Sequence, residues 1–118
     1  MSVDFEDYLE AEVFDDQGGL IGIFNCLWTD DDDQAQFLGI KLKCSPDRTC
    51  LVPGILGNAD ERRSCIRIHA LEQHIAGAPS LDCDEQLDQK FEEKVYAHFR
   101  LDAPSKHHEL HLNRAHSD

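Results

Sequence analysis

Four consecutive aspartates, Asp30 to Asp33, form the densest run of charge in the chain. Carboxylates crowded in this way suit a hard cation such as calcium. Read as a calcium loop, Asp30, Asp32 and Gln34 take the first, third and fifth positions. The same frame puts Ala35 where the turn requires glycine and Lys41 where a bidentate glutamate must close the site. The EF-hand reading fails. A solvated acidic loop is expected, with Asp30 and Asp32 carried forward as candidate cation ligands.

Soft-metal chemistry has a second source in His107, His108, His111 and His116 near the C-terminus. Neutral imidazoles suit zinc, nickel and copper. A mobile tail would lose conformational entropy on forming such a site, and no carboxylate stands out to orient the rings. His107, His108 and His111 are the candidate ligands, and no cofactor is expected. Cys65 and His69 lie four apart on an alternating segment, which places them on one face, but Arg67 falls between them and argues against a zinc pair. For nucleophilic catalysis Cys83 is the most exposed cysteine expected, and its neighbours Asp82 and Asp84 disfavour a thiolate. No Gly-x-Ser-x-Gly, phosphate loop or dinucleotide fingerprint occurs, and Gly54-Ile55-Leu56-Gly57 is too short to cradle a phosphate. These absences lead to the expectation of a protein that is not an enzyme.

The elements that must carry these residues read as mainly β. Tyr8 to Phe14 alternates, with Leu9, Ala11 and Val13 on one side, and Asp15-Asp16-Gln17-Gly18-Gly19 supplies a tight turn. Leu20 to Trp28 is apolar on both faces, with Gly22 marking a bend or bulge. Gln36 to Lys43, Thr49 to Val52 and Cys65 to Ala70 complete five strands, while Asn58 to Ser64 reads as polar loop. A short helix is expected over Leu71 to Ala76, stopped by Gly77 in a C′ role and by Pro79. A longer one is expected over residues 84–99, capped by Asp82 or Asp84, with Leu87, Phe91, Val95 and Phe99 as its apolar stripe. Residues 102–118 lack a period and read as a mobile, His-rich tail.

Several of these segments, in this order, resemble the PRC-barrel family. The resemblance rests on Val13-Phe14-Asp15-Asp16-Gln17-Gly18-Gly19-Leu20-Ile21-Gly22, on Leu51-Val52-Pro53, and on Leu71 to Pro79 followed by Leu81 to Glu85 and the closing Val95-Tyr96-Ala97-His98-Phe99. It covers about residues 5 to 101. It implies a small antiparallel β-barrel of five to six strands with a closing helix, occupying residues 1–101, in a stand-alone bacterial-type member. It also implies a module that binds rather than catalyses, and no shared catalytic residues come with it.

Composition points the same way. The 118 residues hold 24 Asp plus Glu against 11 Lys plus Arg, a formal net charge of -13. Such a surface repels nucleic acid and anionic membranes; Lys41, Lys43 and Arg48 near Phe37 make only a modest basic cluster. No run is long and apolar enough to span a bilayer, and the opening residues lack the basic start and apolar core of a secretory signal. Cys26, Cys50 and Cys65 sit in apolar runs, as small buried hydrophobes in a reducing compartment would. The expectation is a cytoplasmic protein-interaction module with a protein partner, in particular a basic one. A small metal-binding or metal-responsive protein using the acidic loop or the tail is the second reading. Phe24, Trp28 and Phe37 are expected to leave an apolar patch on the surface and so to support a homodimer.

Overall fold

The first strand is shorter than its alternation predicts. In the computed structural model, which describes residues 5–30, 34–44, 47–80, 87–101 and 110–114, Phe5–Tyr8 form a 3-10 turn and the strand β1 covers only Glu12–Phe14. Glu10 takes φ 73° between them. The N-terminal segment folds so that the Phe5 ring meets Phe24 edge-on at 6.5 Å.

A turn over residues 15–19 leads into β2, Leu20–Thr29, as the paired glycines predict. Gly18 takes φ 83°, a conformation open to glycine. β2 then pairs antiparallel with β3, Ala35–Leu42, from Gly22 opposite Leu42 to Thr29 opposite Ala35. The irregularities in this ladder fall between Phe24 and Cys26 and between Trp28 and Thr29, not at Gly22. Gly22 serves close approach instead, since a Cβ there would overlap the Lys41 carbonyl oxygen. β4, Thr49–Pro53, pairs with β3. The segment read as polar loop contributes a further strand, β5, Gly57–Asp60, which makes a hairpin with β6, Cys65–Ile68.

The strand order is β4-β3-β2-β1-β6-β5, with β4 and β5 at its ends, so the sheet is open rather than closed into a barrel. It is also mixed. β1 and β6 run parallel, with Val13 opposite Ile66, and β6 pairs antiparallel with β5 along its other edge. The expectation of purely antiparallel pairing is corrected on this point. A last strand, β7, His111–Arg114, pairs antiparallel with β2, so this part of the segment expected to be a tail is an element of the sheet.

Two helices complete the fold. α1, Glu72–Ala76, buries Ile75, and Gly77 beyond it has φ -85°, so the left-handed C′ role expected of it is not used. α2, Gln89–His98, starts later than expected because the Asp88 carboxylate accepts the Phe91 N–H at 2.7 Å and sets the N-cap there. Asp82 and Asp84 lie outside the described residues. Along the helix Val95, Tyr96 and Phe99 are buried while Leu87 and Phe91 are only partly so. The Tyr96 ring stands edge-on to Phe37 at 5.4 Å.

Phe24, Phe37 and Trp28 are therefore interior residues, with exposures of 0%, 0% and 2%. The patch expected from them does not exist within this chain. Phe5 covers Phe24, Tyr96 covers Phe37, and Trp28 lies over Gly39, where a Cβ would come within 3.1 Å of its ring. Ile23 and Ile55 are the large apolar side chains left exposed among the described residues. No helix among the described residues is long and apolar enough to cross a membrane.

Candidate functional site

Asp30 ends β2 and closes its own loop. Its Oδ1 accepts the Gln34 N–H at 3.0 Å, its Oδ2 accepts the Gln36 side-chain amide at 2.9 Å, and its own N–H donates to the Gln34 carbonyl at 3.1 Å. The residue is 8% exposed. Both carboxylate oxygens are committed to shaping the β2–β3 connection, as short acidic side chains do in turns. Asp32, His107, His108, His116 and Cys83 lie outside the described residues. His111 lies in β7, its backbone opposite Thr29. Among the described residues no group of three or more His, Cys, Asp or Glu could hold a metal ion.

Cys65 and His69 do not share a face. Cys65 is buried at the start of β6, whereas His69 follows the strand's end and is exposed. Cys26, Cys50 and Cys65 are buried free thiols, as expected, and Cys44 is exposed. Burial pushes the Cys50 and Cys65 thiols up, away from the nucleophilic thiolate.

His69 instead joins a surface relay. Its Nε2 accepts the Asn58 side-chain amide at 2.6 Å, which leaves the proton on Nδ1, 3.8 Å from Asp16 Oδ1. A carboxylate beside an imidazole is half of a nucleophilic triad, but here an amide occupies the place of the nucleophile. The relay ties the β1–β2 turn to β5 and the end of β6.

A second histidine pair was not foreseen. His74 on α1 donates from Nε2 to the His98 carbonyl at 2.9 Å, and His98 on α2 donates from Nε2 to the His74 carbonyl at 2.7 Å. The rings lie 4.7 Å apart, and Phe99 stacks on His74 at 5.2 Å. Carbonyl acceptors near two helix C-termini are thereby satisfied reciprocally. No local pattern could announce a pair 24 residues apart.

Asp15 accepts three backbone N–H bonds. Oδ1 accepts the Gly19 N–H at 2.9 Å and the Gln17 N–H at 3.0 Å, and Oδ2 accepts the Glu72 N–H at 3.2 Å. The Gly19 bond, with those from Glu72 and Gln17, holds the carboxyl below its ordinary value against the opposing effect of burial. The motif Asp15-Asp16-Gln17-Gly18-Gly19 signalled the turn, though not its link to α1.

No protein-family model matches the chain, and no curated protein matches it.

Proposed function

We propose that the protein is a non-enzymatic interaction module of the PRC-barrel kind, which uses its acidic surface to bind a basic protein partner. The observation that carries this reading is the excess of 24 acidic over 11 basic residues. Charge of one sign speeds and orients the encounter with an oppositely charged partner. The side chains that could have offered chemistry support it too. Asp30 and Asp15 are spent on turns, the His74–His98 pair on joining two helices, and three cysteines on the core. The ordered segments that resemble PRC-barrel proteins add a family in which binding is the known role.

Affinity capture of partners from native cell extract, at low and high salt, tests the reading. The expected result is saturable enrichment of basic proteins at low salt that falls as salt rises. Enrichment no greater than on an unrelated acidic protein of similar charge would refute it.

A further inference from the structure

β2 is flanked by β3 along one edge, but two separate strands share the other. β1 pairs with it from Leu20 to Ile23, and the chain just before β1 continues as far as Phe24, whose carbonyl accepts the Glu10 N–H at 2.7 Å. There the N-terminal chain leaves. Glu10 takes φ 73°, a left-handed conformation unusual for a residue with a side chain, and the preceding residues turn into the 3-10 segment Phe5–Tyr8. From Cys26 to Thr29 the edge that β1 has left is taken by β7, with Cys26 opposite Arg114, Leu27 opposite Asn113, Trp28 opposite Leu112 and Thr29 opposite His111. β2 itself is buried through this stretch.

We propose that the β2 edge at Cys26–Thr29 is a strand-addition site for an extended basic peptide segment, and that β7 is its resident occupant. The inference rests on the interaction-module reading and gives that reading a location. Main-chain ladders of this type supply affinity without demanding a particular sequence, so any extended segment of suitable charge can replace another. β7 is a short occupant. It has four residues, and residues 102–110 separate it in the chain from Leu101. A tethered occupant acts at high effective concentration, so it excludes other ligands until they are abundant or better matched. Its sequence, His-Leu-Asn-Arg, has no acidic residue and carries the kind of charge expected of the ligand. Exposed Glu10 places an acid beside Phe24 at one end of the slot, and in the sequence Thr29 is followed by Asp30 to Asp33.

The test uses the full chain and a fluorescein-labelled peptide, Leu-His-Leu-Asn-Arg-Ala, which copies residues 110–115. Fluorescence anisotropy is measured with the wild-type chain and with Leu112→Pro/Asn113→Pro, in which adjacent prolines remove whichever of the two N–H groups faces β2, and β7 cannot pair. The expected result is binding to the double-proline chain at least about tenfold tighter than to wild type, as release of a tethered competitor requires. A peptide N-methylated along its backbone should lose that binding. Equal affinity for both chains, or no binding to a double-proline chain that melts as wild type does, would overturn the site. Hydrogen exchange on the wild-type chain decides the matter if the variant does not fold. Amides of Cys26–Thr29 that face β7 should exchange at least about a hundredfold faster than those facing β3, as expected of a locally opening strand. Equal protection on both edges would show that β7 does not leave. The two ideas fail separately: a captured basic partner indifferent to the double proline removes the site, and a peptide that binds the slot when capture finds no basic partner removes the function.

Discussion

Asp15 and Glu72 are joined across 57 residues by a 3.2 Å bond from the Glu72 N–H to the Asp15 carboxylate. The same carboxylate organises the β1–β2 turn through Gln17 and Gly19, so one side chain sets the turn and also fixes the start of α1 against it. Asp15→Ala should cost about 2–3 kcal/mol in chemical unfolding, the range for several bonds to a charged acceptor. A loss under about 0.5 kcal/mol would mean that water replaces these bonds.

The same residue predicts a pH dependence. The Asp15 carboxyl titrates below its ordinary value in the folded chain, chiefly because of the Gly19 N–H. A lowered folded value adds stability above the unfolded carboxylate value, near about 4, and that stability is lost as pH falls through the folded one. The difference in melting temperature between wild type and Asp15→Asn should therefore be full at neutral pH and narrow in acid. A difference that stays constant down to about pH 2 would contradict the assignment.

Gly22 tests the β2–β3 ladder. A Cβ there would overlap the Lys41 carbonyl and touch the Leu42 Cα at 3.0 Å, and both are backbone atoms that cannot step aside. Gly22→Ala should destabilise by about 1–3 kcal/mol, the usual cost of overpacking. Gly18→Ala is the comparison, because it meets nothing within 4 Å and is opposed only by its φ of 83°.

In the core, removal of Phe37 should cost more than removal of Phe91. The α2 stripe places Phe91 at its centre on sequence grounds, but Phe91 is only partly buried while Phe37 is fully so. Phe37→Ala should cost about 3–5 kcal/mol, and Phe91→Ala less than that range. Denaturant titration of both variants ranks them, and the reverse order would displace α2 from its assigned packing.

How far the sequence was legible depends on the range over which each signal acts. The apolar run at Leu20–Trp28 announced a strand covered on both faces, and β2 is buried over most of its length, but Ile23 in its middle is 40% exposed. Leu9 alternates as well as Val13 does, yet the chain leaves β2 at Glu10, which still donates to the Phe24 carbonyl but takes φ 73°. β5, Gly-Asn-Ala-Asp, lacks any apolar alternation; it is held by main-chain pairing to β6, which composition does not record. Asp30 was legible as a loop residue, while its capping of Gln34 and Gln36 needed the geometry of the hairpin. The His74–His98 exchange depends on two helices being brought together, and nothing near either residue encodes that.

That exchange predicts a modest, paired effect. Each bond from a partly exposed imidazole to a carbonyl is worth about 0.5–1.5 kcal/mol. His74→Ala and His98→Ala should each destabilise by an amount in or just above that range, and the double variant by less than the sum, since each single change already disturbs the shared contact. Strict additivity in a double-mutant cycle would show that the two bonds act independently.

The function proposed for the acidic surface is recognition of a basic protein. The most direct measurement is a calorimetric titration of the full chain with the purified partner from the capture experiment, repeated at rising salt. The account predicts saturable binding of defined stoichiometry whose affinity falls steadily as salt increases. Affinity that is unchanged by salt, or heat that continues as substrate turnover rather than saturating, would contradict it.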